Sequence, residues 1–305
     1  MKQLVVISGK GGTGKTTLVA AFAALAQSKV LADCDVDAAD LHLLLDPKVE
    51  RSEAFEGSKV AILDQEKCIQ CGACLASCRF GAISESGGLF AIDPFRCEGC
   101  GVCAFVCPAG AIKLEPRLSG RIYISSTRFG PLVHGQLEPG EGTSGKLVSL
   151  VKQRAMELAQ LEGRDLIIVD GAPGIGCPVI ASLGNATAAL IVTEPTLSGI
   201  HDMERVLGVA RHFRTRAFIC INKCDLNREM ARRIEEFAAE RGLEVVGQIP
   251  YDDAVTEALV QGKTVVEHAS DSPVVQEIEL MWSRLAEVLE LGEATRTGPS
   301  HRGRG

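Results

Sequence analysis

The chain has 305 residues, enough for about two domains at roughly 150 residues each. Hydrophobic residues make up 46% and charged residues 23%, a globular composition that excludes a fibrous or wholly disordered protein. A net charge of −7 with only 4% aromatics argues against binding to nucleic acid, and no apolar run reaches the roughly 18 residues of a membrane span.

Residues 2–8 read as a short apolar strand, too short for a secretory signal, so a cytoplasmic location is expected. A glycine-rich turn follows, then an Ala- and Leu-rich helix over 16–27. The turn, Gly9-Lys10-Gly11-Gly12-Thr13-Gly14-Lys15-Thr16-Thr17, fits the pattern G-x-x-x-x-G-K-[ST] between a strand and a helix. Its glycines let backbone N–H groups curl around phosphate oxygens, and the helix N-terminus adds a favourable dipole. Lys15 is expected on the β- and γ-phosphates and the Thr16 hydroxyl on magnesium. A second strand at 30–34 runs into an acidic stretch, Asp33, Asp35, Asp37 and Asp40, of which one is expected to polarise the attacking water or help hold the metal.

From about residue 58 to 116 the strand–helix rhythm stops and an internal repeat appears with an offset of 29 residues. Cys68, Cys71, Gly72, Cys74 and Cys78 recur as Cys97, Cys100, Gly101, Cys103 and Cys107, and Gly81-Ala82-Ile83 recurs as Gly110-Ala111-Ile112. Each half reads C-x2-C-x2-C-x3-C. Evenly spaced triplets disfavour zinc, which uses pairs, and a chain with no export signal disfavours disulfides. The run resembles the two-cluster ferredoxins of bacterial type, in which the fourth cysteine of each run reaches the other cluster. That resemblance implies two [4Fe-4S] clusters, one on Cys68, Cys71, Cys74 and Cys107, the other on Cys97, Cys100, Cys103 and Cys78. Pro108 matches the ferredoxin run, whereas Arg79 stands where the first run often has proline.

A long glycine-rich loop at 137–146 precedes a helix at 146–161 and has no role derivable from sequence. The strand at 165–169 ends in Asp170, expected to hold magnesium through its water shell, and Gly171-Ala172-Pro173-Gly174 follows as a candidate γ-phosphate sensor. Cys177 reads as a small buried residue near the nucleotide, and Cys34, Cys220 and Cys224 read as core or pocket residues. Strands at 188–192, 217–221 and 244–246 alternate with helices at 201–212, 228–241 and 273–291. His201 and Asp202 read as an exposed histidine and a helix-start aspartate. The last helix is acidic and the basic tail beyond it nearly free of large apolar residues, so no stable membrane attachment is expected. Strands alternating with helices predict an α/β fold, a mostly parallel sheet covered on both faces.

KGGTGKTT, with Lys10 ahead of Lys15, resembles the deviant phosphate loop of the MinD/ParA/Mrp/nitrogenase-iron-protein class of ATPases; LADCDVD around Asp35, IIVDGAPG around Asp170 and INKCD around Asn222 extend the likeness. The whole chain resembles MinD-superfamily ATPases that carry an inserted ferredoxin domain. The resemblance implies ATP/ADP and Mg2+ as cofactors, with Gly11, Gly12, Thr13, Gly14, Lys15, Thr16, Thr17, Asp170, Asn222 and Pro250 at the nucleotide. It also implies catalytic roles for Lys10, Lys15, Asp35 and its neighbour Asp37, and a homodimer or a heterodimer with a related ATPase in which Lys10 acts on the partner's nucleotide. Asn222-Lys223-Cys224-Asp225 also fits the guanine-reading pattern of GTPases; the family resemblance favours ATP, with Asn222 on adenine and the segment around Pro250 flanking the base.

The expected layout is residues 1–58 and 117–292 as a discontinuous P-loop ATPase, 59–116 as an inserted ferredoxin module and 293–305 as a disordered tail. The expected function is ATP hydrolysis that gates electron transfer through both clusters to a redox or iron–sulfur acceptor protein. Two alternatives stand beside it: a scaffold or carrier in iron–sulfur assembly of Mrp type, and a ParA/MinD-like spatial organiser with clusters as sensors or pegs.

Overall fold

The structure, a computed structural model, describes residues 1–142 and 144–292; the tail at 293–305 lies outside them. In chain order the elements are β1 (Lys2–Ser8), α1 (Lys15–Leu25), β2 (Lys29–Asp33), α2 (Leu41–Leu45), β3 (Lys48–Phe55), β4 (Ser58–Leu63), α3 (Ala73–Ser77), β5 (Ile83–Ser86), β6 (Leu89–Ile92), α4 (Val102–Phe105), β7 (Ile112–Arg117), β8 (Gly120–Thr127) and β9 (Gly130–Leu137). There follow α5 (Ser144–Leu161), β10 (Leu166–Pro173), α6 (Cys177–Leu183), β11 (Ala188–Thr193), α7 (Leu197–His212), β12 (Arg216–Asn222), α8 (Arg228–Glu240), β13 (Glu244–Ile249), α9 (Asp253–Val260), α10 (Val265–His268) and α11 (Pro273–Val288). The chain divides into two compact units, the second formed by Glu53–Arg121 with the segment that begins at Leu137.

The first unit is built on a sheet of order β13-β12-β11-β1-β10-β2-β9-β8-β3. From β13 to β9 neighbouring strands run parallel, as the strand–helix alternation predicts. β8 and β9 are joined by two residues and therefore run antiparallel, since a parallel return needs a long crossover. The central strand β1 has Leu4, Val5, Val6 and Ile7 all buried. Such an unbroken apolar run belongs to a strand covered on both faces. Leu4 and Val6 join one core with α1 and α11, where Phe22 meets Trp282 at 5.3 Å between ring centroids. Val5 and Ile7 alternate to the opposite face. Register aligns Val6 with Asp170 and Asp170 with Asp33, so the C-terminal edges of β1, β10 and β2 deliver their loops to one place. In open α/β sheets ligands gather at that edge.

The second unit pairs β4 with β7 and β5 with β6, both antiparallel. The β5–β6 turn is Gly87-Gly88 at φ 60° and 84°, which favours glycine at both positions. The one-turn helices α3 and α4 follow Gly72 and Gly101, both left-handed at φ 74° and 80°. The sequence repeat is thus also a repeat of backbone conformation. The core is small: Ala61, Cys74, Ile83, Phe90 and Ile112.

Candidate nucleotide and cysteine sites

Gly12 and Gly14 take φ 78° and 93°, and Gly14 caps α1 with no side chain bonded to the helix's first N–H groups. Those donors stay available to an anion. The loop is braced from behind. Ser8 Oγ donates to the Lys10 carbonyl at 2.6 Å, and Asn222 Nδ2 donates to the Thr13 carbonyl at 2.8 Å. A Cβ at Gly14 would lie 2.4 Å from Asn222 Nδ2, and one at Gly9 would lie 2.3 Å from Asp202 Cβ. Thr13 and Lys15 are buried in the loop.

A cleft of about 690 Å3 opens over this loop. Gly11, Gly12, Gly14, Lys15, Thr16 and Thr17 line one side, and Asp35, Asp37 and Asp40 line another. Ser144, Ala172, Pro173 and Pro178 complete the wall. Asn222 and Pro250 do not line it; Asn222 acts on the loop through Thr13, and Pro250 follows β13. Asp225 accepts the Tyr251 N–H at 2.7 Å and Lys223 pairs with Glu194 at 2.7 Å, so two polar residues of the guanine-type pattern are engaged within the chain.

Asp170 is 1% exposed and neither carboxylate oxygen has a full hydrogen bond. Burial raises its pKa to about 7 against the pull of Lys15 and the Thr16 hydroxyl, with Asp35 and Asp40 pushing the same way as burial. A buried carboxylate beside the Thr16 hydroxyl, with neither oxygen fully hydrogen-bonded, fits a divalent cation held by these two side chains and a nucleotide's phosphates, which would supply the missing charge. Asp35 is raised to about 6 by burial, opposed by Lys15 and assisted by Asp37 and Asp40.

Sequence reasoning grouped Asp33 with the other acids but gave it no separate role. It is fully buried and accepts the N–H of Asp35 at 3.1 Å and of Leu41 at 3.2 Å, so one carboxylate pins both ends of the acidic loop. Burial first, then Asp170, pushes its pKa well above the usual range. Its place as the last residue of an apolar strand was the available signal. Glu194, which bridges Lys10 and Lys223, directly follows the apolar strand β11, a comparable signal, but its two lysine partners lie far off in the chain.

Two expectations are corrected. Cys177 is exposed at the start of α6, where it is the first helical residue, rather than buried. Asp202 is not at a helix start: Thr196 caps α7, accepting from the Gly199 N–H, which puts Asp202 more than a turn inside. Cys34 and Cys220 are buried as read.

In the second unit seven of the eight repeat cysteines fall into two neighbourhoods, and Cys71 is exposed. Cys78, Cys97, Cys100 and Cys103 line one small cavity with Ile83 and Ile92. Cys74 has Cys68 and Cys107 as electrostatic neighbours; burial, then those two thiols, push it up. Backbone N–H groups point at sulfur. Ala111 N–H donates to Cys107 Sγ at 3.3 Å and Ala61 N–H to Cys97 Sγ at 3.4 Å. Burial raises the Cys78 thiol, but the N–H groups of Ala82, Phe80, Ile83 and Gly81 prevail and lower it. Gly99, passed over in the sequence, has φ 62°, and a Cβ there would lie 2.2 Å from the Lys59 carbonyl oxygen. Arg117 donates to the Pro94 carbonyl at 2.6 Å and pairs with Glu141, which ties the long loop to the cysteine segment. Among the described residues no three His, Cys, Asp or Glu side chains form a group that would hold a single metal ion.

No helix among the described residues is long and apolar enough to cross a membrane. An uncharacterized protein of Methanocaldococcus jannaschii is 33% identical over 290 residues, covering 94% of this chain and 97% of its own. Among solved structures, septum site-determining MinD of Pyrococcus horikoshii, complexed with Mg-ADP, matches 94% of this chain and 98% of its own with a TM-score of 0.56 at 17% identity. MinD in the MinC:MinD cell division complex of Aquifex aeolicus matches 94% and 96% with a TM-score of 0.57 at 20% identity. The family model described as the CobQ/CobB/MinD/ParA nucleotide binding domain matches residues 4–265, and with its phosphate loop, acidic edge and parallel sheet the chain belongs to that family of P-loop nucleotide-binding proteins.

Proposed function

We propose that the chain is a Mg-ATP-hydrolysing switch that carries two [4Fe-4S] clusters in its second unit and uses nucleotide state to gate electron transfer to a partner protein. The observation that carries this reading is the convergence of Cys78 with Cys97, Cys100 and Cys103 on one cavity, a ligand set drawn from both halves of the repeat. The N–H groups aimed at sulfur and the small apolar core support it, since so few buried residues stabilise a unit of this size poorly without a staple. Cys68, Cys71, Cys74 and Cys107 would hold the other cluster. When bound, the clusters supply one-electron carriage.

The chain's own residues do the phosphate chemistry. Loop N–H groups and Lys15 bind the β- and γ-phosphates, Thr16 and Asp170 hold Mg2+, and Asp35, beside Asp37, orients the attacking water. Water oxygen bonds to the γ-phosphorus as the bond to the ADP oxygen breaks, and positioning with charge neutralisation supplies most of the rate. Lys10 reaches the nucleotide of a partner chain. The Mg-ADP of the Pyrococcus horikoshii protein and the MinC partner of the Aquifex aeolicus protein, carried to this chain, support a Mg-nucleotide ligand and a protein partner. The engaged Asp225 and Lys223 favour ATP over GTP.

Iron and sulfide analysis of anaerobically purified protein, followed by an EPR-monitored redox titration with and without Mg-ATP, tests the proposal. About eight irons per chain and a nucleotide-dependent potential or transfer rate are expected. Iron-free protein ends the cluster reading, and a potential and rate both indifferent to nucleotide end the gating. Membership in the MinD/ParA family favours a second reading, a spatial organiser, which predicts ATP-dependent assembly that survives replacement of the repeat cysteines.

A further inference from the structure

Glu194 sits where two cations meet. Lys10 Nζ lies 3.0 Å from one carboxylate oxygen and Lys223 Nζ 2.7 Å from the other. The three residues come together because β11 lies between β1 and β12 in the sheet. The Glu194 side chain is 16% exposed, whereas Lys10 keeps 33% of its side chain in solvent. Backbone around the acid is held firmly. Thr193 Oγ1 donates to the Gly199 carbonyl at 3.1 Å, the Gly199 N–H donates to Thr196 Oγ1 at 2.9 Å, and a Cβ at Gly199 would lie 2.3 Å from the Glu194 carbonyl oxygen. The acid is therefore the fixed member of the pair, and Lys10, on a long flexible stem, is the member able to leave. Burial acts to raise the Glu194 pKa, but Lys223 and Lys10 outweigh it and hold the carboxyl below its ordinary range.

We propose that Glu194 is a positioning residue that parks Lys10 against its own chain, so that the dimer closes only when the partner's bound phosphates outcompete this carboxylate. The proposal rests on the reading that Lys10 reaches the partner's nucleotide. Lys223 has the complementary part. It stays on Glu194 when Lys10 departs, so no half-buried carboxylate is left without a cation. While both lysines share the acid they also repel each other, which loosens the hold on Lys10.

Two substitutions consequently act in opposite directions. Glu194→Gln removes the anion and frees Lys10; Lys223→Met leaves Lys10 as the sole partner and tightens its hold. The test is ATP hydrolysis per chain as a function of protein concentration, with full-length anaerobic protein, alongside sedimentation with a non-hydrolysable ATP analogue. A partly exposed ion pair is worth about threefold, and each dimer releases two lysines, so Glu194→Gln lowers the half-saturating concentration about tenfold. Lys223→Met raises it. A purely structural role for Glu194 would move both variants the same way, and that result, or an unshifted Glu194→Gln, overturns the proposal. Lys10→Ala examines the reading beneath it: full activity in that variant removes the lysine's action across the dimer, and the parking role with it, whatever Glu194→Gln does.

Discussion

Replacing Asp170 with asparagine keeps the shape of the side chain and removes a buried charge that Lys15 and the Thr16 hydroxyl offset only in part. The folded-state pKa of Asp170 stands at about 7 against an ordinary 3.8. A raised carboxylate contributes its full stability below the unfolded pKa and loses it as pH rises through the folded one, so the window is pH 4 to 7. About three units at 1.36 kcal/mol each put the cost of the ionised group at about 4 kcal/mol by pH 8. An asparagine amide left without partners costs about 1–3 kcal/mol at any pH, which leaves the variant about 1–3 kcal/mol more stable at pH 8 and no more stable at pH 4. Urea unfolding followed by the single tryptophan, Trp282, reads this directly, because its ring packs on Phe22 of α1, the helix that begins in the phosphate loop. Adding Mg-ADP should stabilise the wild type and leave the variant unmoved. A difference between the two proteins that stays flat from pH 4 to pH 8, or a variant less stable at pH 8 without ligand, refutes the placement of a partly compensated charge at Asp170.

With Mg2+ placed on Asp170 as proposed, Mg-nucleotide affinity should climb about tenfold per pH unit up to about pH 7 and then level off, with proton release seen calorimetrically; an equal slope in Asp170→Asn would contradict this placement. Gly99→Ala drives a Cβ to within 2.2 Å of the Lys59 carbonyl oxygen, so it should halve the iron content. Gly110→Ala, with a similar φ but open space, should cost about 1 kcal/mol and keep the iron. Equal iron in the two variants would show that the Gly99 approach does not shape the cysteine loop.

What the sequence made legible was local. A phosphate loop between β1 and α1, an aspartate closing the apolar run of β10 and a cysteine repeat at constant offset each need only a short window, and the parallel sheet follows from strand–helix alternation. What it hid depends on neighbours far along the chain. Asn222 braces Thr13 across 209 residues, and Glu194 meets Lys10 and Lys223 only because of strand order. β8 and β9 went unread because their segment alternates weakly and carries no helix between them. α7 begins at Leu197, ahead of the expected 201, because the Thr196 cap starts the helix before its apolar periodicity becomes visible.

β1 pairs with β10 and β11, whose first residues are Leu166 and Ala188. On the ribosome this hydrophobic strand therefore waits for both neighbours while roughly 180 further residues are made, about ten to thirty-five seconds at ordinary elongation rates. The bulk of the cysteine-bearing unit, up to Arg121, has left the exit tunnel well before that wait ends. Biogenesis thus runs in an inverted order, the guest maturing inside a host that is still unfinished, and the exposed β1 segment is the natural client for a chaperone during that interval.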